Sequence, residues 1–259
     1  MKMGLLEKLF SLKGKVALIT GGYKGLGKLF TETYAEAGAD IAIVARNVEG
    51  CQAEAKSVQE TFGVRAIGRF IDVHDSNVVD DVVVEILNEF GKIDILVNCA
   101  GISGSEKPVV KTSDEEIDDV MNVDFRGTFL VSRKVAIEMA KLQSGRIVNV
   151  ASIAGKIAMR NMVGYCASKA AVVQLTRVMA LELMRDNIQV NVLSPGYFLT
   201  DLNREFFASE AGKKMIKKMI PIGRLGNLDE LKSTILYLAT CPSFLTGAEI
   251  IIDGGHTIA

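Results

Sequence analysis

Tryptophan is absent from this 259-residue chain, and proline, cysteine and histidine are scarce, at 4, 4 and 2 residues. Each shortage excludes something. Cys51, Cys99, Cys166 and Cys241 lie far apart and form no Cys-x-x-Cys pair. They are too few for a disulfide scaffold. With only His74 and His256 to join them, no zinc site is expected, and free buried thiols are. An excess of charge of one sign is also missing: 30 Lys plus Arg oppose 31 Asp plus Glu, for a net charge of -1. A broad cationic surface for nucleic acid is thereby excluded, and 49% hydrophobic residues exclude a disordered chain. No run of about 20 apolar residues offers a membrane span, and the first residues lack the apolar stretch of a signal peptide. A cytoplasmic protein without a membrane partner is expected. Leu5, Leu6, Leu9, Phe10 and Leu12 give an apolar arm, expected to pack on the body or on a neighbouring subunit. Glycine alone is in excess, 24 residues against the usual ~7%, so where it falls matters.

Short β-branched runs recur at Lys15–Thr20, Ile41–Ala45, Ala66–Ile71, Ile93–Val97, Arg146–Ala151, Ile188–Leu193 and Ala248–Ile252. Between them lie segments of helical period: Gly25–Ala37, Glu49–Phe62, Asn77–Phe90, Asp114–Leu142, Gly164–Arg185 and Asn227–Thr240. Strands apolar on both faces, alternating with helices, predict an α/β fold. It is a doubly wound, parallel, seven-stranded sheet with helices on both faces, the Rossmann arrangement. No linker divides the chain, so residues 1–259 are expected to form a single domain. The polar, Lys-rich stretch 197–224 predicts a mobile flap.

The turn Thr20-Gly21-Gly22-Tyr23-Lys24-Gly25-Leu26-Gly27 follows the first strand and opens the first long helix. Gly21, Gly25 and Gly27 suit a tight strand-to-helix turn that lets backbone approach a pyrophosphate at a helix N-terminus. Dinucleotide binding is the expectation. An acid at the end of the second strand would hold the ribose hydroxyls of NAD, but that strand ends Ala45-Arg46-Asn47. Arg46, with Lys24 in the turn, instead suits a 2′-phosphate. NADP(H) is therefore expected to be preferred, with NAD(H) as the alternative.

Tyr165 and Lys169 stand four apart at the start of a helix, hence on one face. A phenol, with a pKa of about 10, is a poor acid–base group at neutral pH unless a fixed cation favours phenolate. Ser152, thirteen residues before Tyr165, closes a strand at the edge where α/β proteins bind ligands. Its alternative role is to cap a turn. Asn98-Cys99-Ala100-Gly101 closes the preceding strand in the same way. Asn122 sits inside a predicted helix, where Asn is a mediocre choice.

Taken together these residues resemble the short-chain dehydrogenase/reductase family, over Leu12 to Thr257. The appearance is nearest to its gluconate 5-dehydrogenase-like group, carried by Phe10-Ser11-Leu12, Asp186–Asn191 and Pro195–Phe198. The resemblance implies the catalytic set Asn122, Ser152, Tyr165 and Lys169. Tyr165 is the acid in reduction and the base in oxidation, Lys169 lowers its pKa and binds the nicotinamide ribose, Ser152 orients the substrate oxygen, and Asn122 holds a relay water. It also implies cofactor contacts from Gly21, Tyr23, Lys24, Gly25, Leu26, Arg46, Asp72, Val73, Asn98, Ala100, Gly101, Tyr165, Lys169, Pro195, Gly196, Phe198 and Thr200. No metal is implied. Cys99 departs from the family's second Asn in that motif.

The reaction implied interconverts a secondary alcohol and a ketone by direct hydride transfer, on a small-molecule substrate. Ile153, Ile157, Met159, Met162, Tyr197 and Phe198 would form an apolar pocket wall. Lys107, Lys156 and Arg160 are cations that either attract an anion or are merely solvated. A sugar-acid enzyme of the gluconate 5-dehydrogenase type and a 3-oxoacyl-thioester reductase are alternatives, as is a non-catalytic NADP(H) sensor. Leu130 and Leu181, where acyl-carrier reductases often carry Arg, weigh against the second of these. A homotetramer pairing the two long helices is implied by the family.

Overall fold

The computed structural model describes residues 4–199 and 204–259. Its strands are β1 Val16–Thr20, β2 Asp40–Ala45, β3 Ala66–Phe70, β4 Ile95–Asn98, β5 Gly145–Val150, β6 Ile188–Pro195 and β7 Glu249–Ile252. They form one sheet in the order β3-β2-β1-β4-β5-β6-β7, with every pair parallel. The helices are α1 Leu5–Phe10, α2 Gly25–Glu36, α3 Val48–Phe62, α4 Ser76–Phe90, α5 Asp114–Val120, α6 Thr128–Leu142, α7 Val163–Leu183, α8 Arg204–Ala208, α9 Glu210–Met219 and α10 Lys232–Thr240.

The expected doubly wound sheet is what forms. Parallel strands joined through helices need both faces covered, and the all-apolar strands supply two cores. On one face α2, α3 and α10 bring Phe30, Tyr34, Val58, Ile235 and Leu238 onto β1 and β2. The Tyr34 hydroxyl donates to the Ile235 carbonyl at 3.1 Å, joining the first helix of this layer to the last. On the other face α4, α6 and α7 bring Val83, Ile86, Val131, Val135, Met139 and Met179. Side-chain caps fix where helices begin: Asp75 accepts from the Asn77 and Val78 amides, and Ser113 with Glu116 forms a reciprocal capping box.

Several features differ from the sequence reading. β4 begins at Ile95 rather than Ile93, because Asp94 turns its carboxylate onto the Val16 amide at 2.9 Å and onto Lys15. The single helix expected over 114–142 is α5 and α6 joined by a π-helical stretch, Met121–Gly127. There Gly127 packs against Val73, and Thr128 Oγ1 donates to the Asp124 carbonyl at 2.6 Å. The apolar arm is only half packed: Leu12 is buried, whereas Leu5, Leu6 and Leu9 are exposed.

In a sheet of this winding the strand order reverses beside β1, so the loops leaving β1 and β4 part and open a crevice at the carboxyl edge. The ends of β1, β2, β4, β5 and β6 all face that edge.

Candidate active site

The turn after β1 is built for close approach. A Cβ on Gly27 would overlap the Gly21 carbonyl, and one on Gly21 would lie 3.3 Å from the Ala100 backbone. Thr20 locks the two strand ends together: its Oγ1 accepts from the amides of Cys99 and Ala100, both at 3.0 Å. Beside them opens a cleft of ≈ 770 Å³ lined by Gly21, Tyr23, Lys24, Gly25, Leu26, Arg46, Asp72, Val73, Ala100 and Gly101, among others. Arg46 is exposed at its rim and has no hydrogen-bond or ion-pair partner among the described residues. Lys24 lies over the Tyr23 ring, 5.4 Å from its centroid. Asp72 is paired with His74 Nδ1 at 2.9 Å.

Two of the expected cofactor residues are turned away from the cleft. The Asn98 amide is buried, donating to Ser132 Oγ at 2.7 Å and to Asn149 Oδ1 at 2.9 Å, and Asn149 donates on to Thr176 Oγ1. That chain of polar groups braces β4 and β5 against α6 and α7, and it leaves only the Asn98 backbone for a ligand. The Phe198 ring packs against Gly226 and joins the core shared by Ile235 and Leu238. Gly196 lies tight against Asp253, its amide donating to the Ile252 carbonyl at 2.9 Å. Thr200 lies outside the described residues.

Ser152 follows the end of β5, and Lys169 on α7 reaches the same strand end and Tyr165. Ser152 is buried, and its Oγ accepts from the Ala154 amide at 3.1 Å. The capping role is thus real, and the Ser152 O–H has no acceptor among the described residues. Gly155 lets the short turn after Ser152 press on α7: a Cβ there would sit 2.8 Å from the Lys169 backbone. Lys169 Nζ is 5.5 Å from the centre of the Tyr165 ring and donates to the Val150 carbonyl at 3.4 Å.

Asn122 lies on the π-helical stretch Met121–Gly127. Its side chain has no hydrogen-bond partner among the described residues. The residue brought to Lys169 is Asp124, two positions further on. Residues two apart on a helix point to nearly opposite sides, and the side chain that reaches Lys169 directly is that of Asp124. The Asp124 carboxylate is fully buried, 3.2 Å from Lys169 Nζ. It accepts from Ser168 Oγ at 3.2 Å and from the Ile102 amide at 2.8 Å. An acid flanked by the apolar Val123 and Phe125 was the available signal.

Burial alone would lower the Lys169 pKa. The negative charge of Asp124, with contributions from Tyr165 and Cys99, outweighs burial and raises it, so the ammonium stays charged. Burial pushes the Cys99 thiol up to about 12, against the lowering influence of Lys169, so it is inert at neutral pH. Burial raises the Tyr197 pKa, with further contributions from the charges of Glu106, Tyr165 and Cys166.

Fold and site together define a dinucleotide-dependent oxidoreductase, and the comparisons agree. The short chain dehydrogenase family matches residues 15–211. An NAD-dependent glycerol dehydrogenase of Listeria innocua is 37% identical over 254 residues, covering 97% of each chain. A D-threitol dehydrogenase of Mycolicibacterium smegmatis is 38% identical over 250 residues, covering 96% of this chain and 95% of the relative. A gluconate 5-dehydrogenase from Burkholderia cenocepacia, solved with NADP and tartrate, superposes with a TM-score of 0.92 at 35% identity, covering 98% and 99% of the two chains. This chain belongs to the short-chain dehydrogenase/reductase family, near its gluconate 5-dehydrogenase group, and is an oxidoreductase acting on CH–OH and C=O groups. Among the described residues no helix is long and apolar enough to cross a membrane.

Proposed function

We propose that this chain interconverts a secondary alcohol and a ketone with NADP(H), Tyr165 acting as the acid and base. The observation that supports the reading is Lys169, 5.5 Å from the Tyr165 ring and beside Gly101 of the glycine-walled cleft, with Ser152 just past the end of β5. The residues fit a dinucleotide. The β1 turn leaves no room for side chains where a pyrophosphate would lie, at the N-terminus of α2. Tyr23, Lys24, Gly25, Leu26, Asp72, Val73, Ala100 and Gly101 would hold the cofactor. Arg46, exposed and unpaired at the end of β2 where no acid stands, supports the 2′-phosphate form.

The cofactor, when bound, supplies or accepts the hydride. Tyr165 delivers its phenolic proton to the carbonyl oxygen in reduction and recovers it from the alcohol in oxidation. Ser152 donates a hydrogen bond from its hydroxyl to the same oxygen and orients it, keeping its own proton. Lys169 supplies fixed positive charge at the phenol and hydrogen-bond donors beside it. The names of the relatives favour polyols and sugar acids as substrates. Lys107 is tied to Glu116 at 2.5 Å, which leaves Lys156 and Arg160 as the cations open to an acidic substrate. The stretch 197–224, carrying α8 and α9, would close over the substrate. The apolar residues left exposed on α6 and α7, Ile137, Val178 and Leu181 among them, support a homotetramer. A panel of keto sugar acids, ketoses, 3-oxoacyl thioesters and cyclic ketones, run with NADPH and NADH, tests the reading. NADPH oxidation with at least one ketone, lost in Tyr165→Phe, is expected; no turnover with any, or faster turnover with NADH, contradicts it.

A further inference from the structure

Tyr197 follows β6 at the carboxyl edge of the sheet, and both its backbone and its ring are held. The Gly196 amide donates to the Ile252 carbonyl and the Gly226 amide donates to the Tyr197 carbonyl, each at 2.9 Å. His256 stacks on the ring with centres 5.8 Å and planes 20° apart, and Phe207 of α8 meets it edge-on, also at 5.8 Å. Asp253 fixes the turn that carries His256 by accepting from the Gly255 and Thr257 amides. A ring so confined pre-organises its hydroxyl. Among the described residues that hydroxyl reaches only the sulfur of Met159, at 3.9 Å, and a thioether is a weak acceptor. Met159 lies between Ser152 and Tyr165 in the chain, and its carbonyl receives the thiol of Cys166, the residue after Tyr165, at 4.0 Å. The Tyr197 hydroxyl is thus held against the segment joining two catalytic residues, with a hydrogen bond to give.

The charge around it is one-sided. Glu106, on the loop leaving β4, acts on Tyr197, as do Tyr165 and Cys166, and of these Glu106 is the one carboxylate. Among the described residues no cation acts on it in the same way. Lys107, next to Glu106, is drawn off to Glu116, and Lys156 and Arg160 are exposed.

We propose that Tyr197 is a specificity-determining residue of the substrate pocket. Its hydroxyl donates to a second oxygen of an uncharged polyol or hydroxyketone, beside the carbon that reacts, and Glu106 turns carboxylated substrates away. The inference rests on the alcohol–ketone reading with Tyr165 as acid and base, and it narrows the substrates from polyols and sugar acids to polyols. Its test does not need turnover.

An alcohol and a reduced cofactor cannot react, so the pentitols, the matching pentonates and 2-pentanol can each be titrated into the protein–NADPH complex as pure binding probes. The chain has no tryptophan, so the emission of bound NADPH reports binding without interference from indole. Each pentonate differs from its pentitol by one terminal carboxylate, and 2-pentanol lacks the second oxygen. In the unmodified protein the best pentitol is expected to bind more tightly than its pentonate and than 2-pentanol. Tyr197→Phe, which keeps the ring, should weaken that pentitol by about fivefold to tenfold, the scale of one hydrogen bond. It should change 2-pentanol and NADPH by less than about twofold, a split that a merely structural role would not produce. Glu106→Gln should tighten the pentonate by about threefold or more and leave the pentitol nearly unchanged. No pentitol bound, a pentonate bound more tightly than its pentitol, or an equal change for pentitol and 2-pentanol in Tyr197→Phe overturns the proposal. Should Tyr197→Phe fail to fold, the pentitol–pentonate order in the unmodified protein and in Glu106→Gln decides. If the probes bind as expected but Tyr165→Phe still turns over ketones, the catalytic assignment is what fails; if NADPH itself does not bind, the cofactor reading falls and this inference with it.

Discussion

The Asp124 carboxylate and the Lys169 ammonium lie 3.2 Å apart with side-chain exposures of 0% and 7%. Breaking a buried pair on one side strands the other charge, typically at about 3–5 kcal/mol, whereas replacing both with apolar groups is often nearly neutral. Lys169→Met should therefore lower unfolding stability by about 3 kcal/mol. Pairing it with Asp124→Leu should recover most of that loss. Denaturant unfolding of the two variants measures this, and equal stabilities would contradict it.

Arg46 is the cation on which the cofactor preference turns. Arg46→Ala should weaken NADP(H) binding by about tenfold or more, the scale of one lost charge-assisted contact. NAD(H) binding should be almost unchanged. Titration of both cofactors into both proteins checks it, and an equal loss for the two would point to a merely structural role.

Gly155 sets the distance between the turn after Ser152 and α7. In Gly155→Ala the new Cβ would meet the Lys169 backbone at 2.8 Å, and backbone on both sides has to move. We expect a loss of stability of about 1–3 kcal/mol and a fall in turnover larger than the fall in NADP(H) affinity. Kinetics and binding measured on one preparation separate the two effects.

Asp94 gives a pH dependence of known sign. Burial pushes its carboxyl up, but the bonds from Lys92, the Val16 amide and Lys15 outweigh this, and its pKa lies below the ordinary 3.8. A depressed pKa stabilises the fold above the ordinary value, and that contribution is lost as pH falls through the folded value. Stability should decline below about pH 4, and Asp94→Asn should flatten that part of the curve. Thermal unfolding across the acid range is the measurement, and parallel curves would exclude Asp94 as a source.

The sheet was legible because its strands are apolar on both faces and alternate with helices, a pattern few arrangements satisfy. Tyr165, Lys169 and Ser152 were legible because a spacing of four on a helix and a place at a strand end fix geometry locally. Asp124 was missed because which side of a helix faces Lys169 depends on its rotation, and the π-helical stretch, where Gly127 packs against Val73, sets that rotation. Asn98 was read as a ligand contact because a strand end is exposed to the crevice by position. Whether its amide turns out or in was decided by Ser132 and Asn149, 34 and 51 residues away in sequence. Thr20 was read only as part of the glycine turn, since nothing local shows that its hydroxyl receives two amides from the end of β4.

The most direct measurement is NADPH consumption by Tyr165→Phe with a ketone that the unmodified protein reduces, alongside the affinity of both proteins for NADPH. The expected result is unchanged NADPH affinity and a rate at least about 100-fold lower, the scale of a lost general acid. Turnover retained within a few-fold, with NADPH still bound, would contradict Tyr165 as the proton donor and with it the proposed mechanism.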